Sequence, residues 1–165
     1  EVTFDVREGG TYFGELAALD GEPRSANIVA LDETILASLS QKNFHELLHN
    51  HPSVSVRILK NLAKIVRIST DRIMDLSTLG ANNRVHAELL RLAKPGVKKD
   101  NTAEISPIPI HGDIASRVST TRETVARVFS DLTREGILKR EQDTLIILDV
   151  DTLTDIVETV RGESD

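Results

Sequence analysis

The chain of 165 residues contains no cysteine. Disulfides, thiolate zinc sites and cysteine-held iron–sulfur clusters are therefore excluded. Long apolar runs are missing too, and no stretch approaches the roughly 18 residues needed to cross a bilayer. The first residues lack the basic-then-apolar order of a secretory signal. The expectation is a cytoplasmic protein with no membrane partner. No paired carboxylates and no Ser/His/Asp set suggest catalysis, so an enzyme is not expected. His45, His49 and His51 cluster with an i, i+4 spacing. No cysteine or acidic cluster accompanies them, and they read as surface histidines with no metal. The length allows one large domain or two small ones.

Net charge is −6, but it is unevenly distributed. Residues 1–56 carry −6 and residues 141–165 carry −7, whereas the span 57–140 between them carries +7. Attraction to phosphate depends on the local face and not on the total. The distribution permits nucleic-acid binding without demanding it.

Glycine and proline are absent from Ser53 to Leu79. Within that stretch Leu59, Leu62, Val66, Ser69, Ile73 and Leu76 follow one another at steps of 3, 4, 3, 4 and 3. This is a heptad seam on a helix of about 26 residues, roughly 39 Å long, and it predicts a two-fold dimer. Ile58, Ile65 and Ile68 lie to one side and can pack within the protomer. Ser69 is a hydroxyl in an apolar seam, costly unless satisfied. A ligand arriving there, or a bond to its own helix backbone, would each satisfy it.

Before that helix, residues 11–39 alternate in a β-like manner. Strands are expected at 24–30 and 34–39. Ser40 then reads as the cap of a short helix, and Pro52 opens the long one. After it, Gly80 is expected to end the seam helix, with Asn82 or Asn83 capping the next. Residues 97–104 read as a polar surface loop, and any strand in 105–110 must lie at an edge because of Pro107 and Pro109. Ile137–Arg140 and Thr144–Leu148 read as the two strands of a wing, followed by a last helix capped by Asp151 or Thr152.

Residues 113–132 carry the most specific pattern. Two short helices are separated by a tight turn, with Ile114, Ala115 and Val118 on the buried side of the first. Val125, Val128, Phe129 and Leu132 form the buried side of the second. Arg122, Glu123 and Arg127 then project together from the opposite face. Arginine can hold both acceptors of a guanine edge, and glutamate can accept from the cytosine amino group. This is a helix-turn-helix suited to reading double-stranded DNA.

A second constellation, Gly14, Glu15, Leu16 and then Arg24, Ser25, Ala26, has the parts of a phosphodiester site. Arg24 can pair with phosphate oxygens, Ser25 adds a hydroxyl donor, Gly14 allows close backbone approach, and Glu15 can accept from a ribose hydroxyl. On spacing alone the same residues also fit a surface Glu–Arg pair on a β-turn.

The segment Phe13–Ala17, followed after five residues by Pro23–Ala26, resembles the phosphate-binding cassette of cyclic-nucleotide-binding domains. With the seam helix and Arg122–Arg127, the chain resembles the cyclic-AMP receptor protein/fumarate-nitrate regulator superfamily of bacterial transcription factors. The resemblance implies an α+β chain in three parts: 1–52, the C-terminal part of a cyclic-nucleotide-binding β-roll (jelly roll) whose first strands are absent; 53–80, the dimerisation helix and a hinge near Gly80; and 81–165, a winged helix-turn-helix domain. It implies that Glu15 binds ribose, that Arg24 and Ser25 bind the cyclic phosphate, and that Ser69 and Thr70 reach the purine. The effector would be a cyclic nucleotide, cAMP rather than cGMP. Arg122, Glu123 and Arg127 would read TGTGA-like half-sites of a palindrome, with Thr121 and Thr124 as phosphate or cap contacts. His111 stands where the family often places a phosphate-contacting arginine, and Ser119 where it often has glycine. RNA polymerase is the further partner implied. A regulator of the same fold sensing haem-bound gas or a metabolite, or acting without ligand, is the alternative.

Overall fold

The computed structural model describes residue 7 and residues 9–162. They fall into two compact units, divided within one long helix between Arg67 and Ile68.

In the first unit a short helix α1 (Glu15–Asp20) follows Gly14, whose φ of 83° lies in the left-handed region. Helix α2 (Gln41–Asn50) is capped by Ser40, whose hydroxyl accepts from the Asn43 N–H at 3.2 Å, as the sequence predicts. A ring nitrogen of His45 bonds the Ala18 carbonyl at 2.8 Å and so ties α2 to α1. Helix α3 (Pro52–Thr78) is unbroken over 27 residues. In its N-terminal part Ile58 is buried, Ser55 donates to the Leu48 carbonyl at 2.6 Å, and Asn61 donates to the Tyr12 hydroxyl at 2.9 Å.

The strands expected at 24–30 and 34–39 are not formed: residues 22–40 contain no helix or strand. Alternation favours a strand only where neighbours complete the ladder and one face is covered. Here Ile35 is 97% exposed, and Ile28, Val29, Leu31 and Leu36 are also exposed. Among the described residues nothing pairs with this segment.

The second unit has a core supplied by four helices and a small sheet. Helix α4 (Ala81–Ala93) contributes Val85 and Leu89, and α5 (His111–Arg117) contributes Ile114. Helix α6 (Arg122–Arg134) adds Val125, Val128 and Leu132, and α7 (Val150–Gly162) adds Leu153. A small antiparallel sheet of β1 (Ala103–Ile105), β2 (Leu138–Glu141) and β3 (Thr144–Ile147) has the order β1-β3-β2. Its Leu145 and Ile147 alternate into the core. Gln142, at φ 49°, turns the β2–β3 wing between the two strands that the sequence predicts.

Three boundaries differ from the sequence reading. Gly80 occupies the cap position of α4, and Asn82 and Asn83 lie in its first turn. The edge strand is Ala103–Ile105, not 105–110: Ile105 pairs with Leu145, and the two prolines fall beyond it. Helix α7 is capped by Asp149, whose carboxylate accepts from the Thr152 N–H at 2.9 Å and hydroxyl at 2.6 Å. Two residues of helix are thereby gained over a cap at Asp151, and three over one at Thr152.

Candidate DNA-reading face and effector cassette

Helix α6 starts cleanly because Thr121 is extended (φ −102°, ψ 157°) and its Oγ1 accepts from the Thr124 N–H at 3.2 Å. Gly136 (φ 76°) closes the far end, its N–H bonding the Thr133 carbonyl at 3.1 Å. Between these stops the apolar residues are drawn into the core, so Arg122, Glu123 and Arg127 all face solvent. Neither Arg122 nor Arg127 enters an ion pair among the described residues, and both guanidinium forks are available to a partner. The stem of Arg122 lies over Gly112, where an added Cβ would stand 3.7 Å from its Cδ. Glu123 is held below the ordinary carboxylate range by its own backbone N–H at the helix start and then by the Thr121 hydroxyl. It is thus an ionised acceptor at neutral pH, as a cytosine amino group requires.

The turn between α5 and α6 passes through Ser119, a non-glycine residue at φ 51°. Arg84 from α4 fastens it, donating from Nε to the Val118 carbonyl at 2.8 Å and from Nη2 to the Ser119 carbonyl at 3.0 Å. Its third nitrogen bonds the Leu79 carbonyl at 2.8 Å, just beyond the end of α3. The sequence reading missed this residue, since an arginine in a first helical turn has no distinguishing pattern. His111 is half-buried, its ring packed edge-on against Phe129 at 4.8 Å.

The reading also missed a buried ionic cluster. Glu88 has no exposed side-chain surface and Asp75 only 6%, and arginines 72, 91, 117 and 161 surround them. A signal was present: Glu88 falls three residues after Val85 and four before Leu92, inside the apolar stripe of α4.

In the cassette the structure brings Gly14 and Arg24 together. Arg24 Nη1 donates to the Gly14 carbonyl at 2.7 Å. A Cβ at position 14 would lie 1.8 Å from that nitrogen, so only glycine admits the guanidinium here. Glu15, the first residue of α1, is buried, whereas Leu16, Ser25 and Ala26 are exposed. On α3, Leu59, Val66 and Ile73 are each 63% exposed and Leu76 is 45% exposed. Leu62 is half-buried, and Ser69 and Thr70 are exposed. In a single chain the seam is thus a solvent-facing apolar stripe.

Comparison with known proteins agrees with both halves. The cyclic nucleotide-binding domain family matches residues 1–51, and the Crp-like helix-turn-helix domain family matches residues 83–156. A cyclic AMP receptor protein of Thermus thermophilus is 31% identical over 156 residues, covering 94% of this chain and 69% of its own length. A CRP-like cAMP-activated global transcriptional regulator of Mycobacterium tuberculosis is 26% identical over 142 residues, covering 86% of this chain and 63% of its own length. Among solved structures, a CooA variant from Carboxydothermus hydrogenoformans superposes with a TM-score of 0.64 at 26% identity, over 72% of this chain and 55% of that one. The chain thus spans little more than half the length of that structure and about two thirds of the two sequence relatives. No helix among the described residues is long and apolar enough to cross a membrane. A cyclic-nucleotide-binding domain followed by a Crp-like helix-turn-helix, with 31% identity to a cyclic AMP receptor protein, places the chain in the CRP/FNR family of transcription regulators.

Proposed function

We propose that the protein is a homodimeric regulator that binds a palindromic DNA site under the control of a cyclic nucleotide, cAMP in preference to cGMP. The observation that carries the reading is the outer face of α6, where Arg122, Glu123 and Arg127 project to solvent, the two arginines without ion pairs among the described residues. Arginine forks at i and i+5 with an ionised glutamate beside the first match the guanines and cytosine of a TGTGA-like half-site. The α3 stripe is the surface on which a second copy packs, and a two-fold dimer matches two half-sites separated by about one helical turn.

The effector site is built from Gly14, Glu15, Leu16 and Arg24–Ala26. Arg24 holds the cyclic phosphate, Ser25 adds a donor and Glu15 takes the ribose hydroxyl. The purine reaches Ser69 or Thr70 on the seam helix. A ligand that touches those hydroxyls in only one arrangement of the paired helices shifts the dimer toward that arrangement. RNA polymerase is the partner that such a regulator addresses from its DNA site. The domain limits 1–52, 53–80 and 81–165 describe this division of labour.

Fluorescence anisotropy with a TGTGA palindrome tests the reading. Binding should tighten on adding cAMP, and Arg127→Ala should relax preference at one base pair by about 1–3 kcal/mol. A uniform loss over all sequences would reduce Arg127 to a phosphate contact. Calorimetry with cAMP and cGMP tests the effector, and heat from neither would hand the cassette to a different ligand.

A further inference from the structure

The wing divides its charges between two faces. Arg140 stands two residues after Leu138 and pairs across the ladder with Leu145. Both leucines are buried, so Arg140 extends from the underside of the wing, the face turned toward α6. Lys139 and Glu141 alternate onto the outer face and bond each other there. Beyond them the tip adds Gln142 and the exposed Asp143. Lys139 is thus neutralised and the tip is acidic, while Arg140 enters no ion pair among the described residues.

The underside of the wing borders an open cleft. Phe129, Leu138 and Leu145 form its apolar part, and His111, Ser130 and Arg140 supply polar groups. Ser130 follows Arg127 by three residues and is exposed, so it continues the outward strip of α6 by one turn. The cleft therefore opens at the foot of the face that carries Arg122, Glu123 and Arg127. Arg134 lines it as well, but its guanidinium is held by Asp131 at 2.7 Å. The wing tip is tied to the segment leading into α5, where the Ile108 N–H donates to the Asp143 carbonyl at 3.2 Å.

An α-helix fills the major groove, about 12 Å wide, so phosphate strands run along its flanks. A guanidinium free of carboxylates on that flank meets a phosphodiester, and a carboxylate there repels it. We propose that the cleft between the wing and α6 takes one strand of the DNA backbone, with Arg140 as its phosphate contact and Glu141 and Asp143 keeping the strand off the tip. The inference rests on the DNA-reading face proposed above and extends it from base edges to the backbone. Phosphates are alike in every sequence, so this contact adds affinity without preference.

Fluorescence anisotropy on a TGTGA palindrome and a scrambled duplex, each over a series of salt concentrations, tests the proposal. Arg140→Gln should weaken both duplexes by the same factor and lower the salt slope by about 0.9 for each protomer on the DNA. One such contact shrinks the advantage of parent over variant roughly three- to fourfold between about 50 and 200 mM salt. Arg140→Lys should recover most of the loss, because a phosphate accepts a point charge. Arg140 is exposed, and the urea midpoint should be the same in all three proteins. Glu141→Gln/Asp143→Asn should act in the opposite sense, tightening both duplexes and steepening the slope. A slope unchanged by Arg140→Gln, a loss confined to the palindrome, or a tip variant that binds no tighter overturns the proposal and leaves the reading of α6 standing. A parent that binds neither duplex refutes both.

Discussion

Replacing Leu59 with lysine tests the seam at its end farthest from Ser69. Leu59 is 63% exposed in the single chain, and full burial of a leucine contributes about 1.5–3 kcal/mol. Packing against its mate therefore contributes roughly 1–2 kcal/mol per protomer, or roughly 2–4 kcal/mol per dimer. Lysine forfeits most of that gain. In a parallel seam it also sets two like charges opposite each other, at about 0.5–1 kcal/mol in water. The sum weakens association by roughly two to three orders of magnitude. The fold of each protomer should be unaffected, because an exposed position away from caps and core ordinarily shifts stability by less than about 0.5 kcal/mol. Sedimentation equilibrium across a concentration series should show the parent as a dimer where Leu59→Lys is a monomer. Lys64→Ala, on the outer face of the same helix, should leave association unchanged. If Leu59→Lys and the parent have the same mass throughout, the seam is not the interface.

Other consequences can be checked separately. Gly14→Ala should mimic Arg24→Ala, since its Cβ occupies the space of the Arg24 guanidinium; calorimetry should show cyclic-nucleotide affinity down about ten- to hundredfold in both, and an unperturbed Gly14→Ala would disprove the cassette geometry. Thr121→Ala removes the α6 cap and should cost about 1 kcal/mol in urea unfolding, with an effect below error counting against the cap. His86 is held below its ordinary value, first by burial and with Glu135 opposing. The unfolded chain therefore takes up a proton that the native one refuses, and stability should fall as pH drops below about 6.5. The urea midpoint should fall from pH 7.5 to 5.5 in the parent and fall less in His86→Gln; equal falls would clear His86 of the effect.

The helical part of the fold was legible because its signals are local. The seam of α3, the cap at Ser40 and the buried face of α6 each follow from spacing or one residue's backbone preference. The region 22–40 was not legible by the same means. Its alternation is a preference that needs neighbouring strands, and with Ile35 almost wholly exposed no partner among the described residues enforces it. The caps at Gly80 and Asp149 were displaced by two or three residues for a related reason. Several residues near each helix start could serve, and tertiary bonds such as that of Asn101 to Asp149 at 2.9 Å decided which does.

What the spacing conveyed least was how the DNA-reading face is held. Arg122, Glu123 and Arg127 could be named because their roles follow from an exposed helix face. Arg84, Glu88 and Asp75 act largely through partners 16 to 86 positions away along the chain. Such charges look like any solvated helix surface until the partners are known. Yet Glu88 lies inside an apolar stripe, where a carboxylate survives only if cations reach it. Buried charge on a core-facing stripe therefore implies arginines from other elements, and four guanidiniums around two carboxylates meet that requirement here. Removing one guanidinium leaves both carboxylates paired, whereas removing Glu88 crowds the remaining cations onto Asp75. Truncation at Glu88 should accordingly destabilise the unit more than truncation at Arg72, and the reverse order in urea unfolding would show that packing, not charge, holds α3 to the helix-turn-helix.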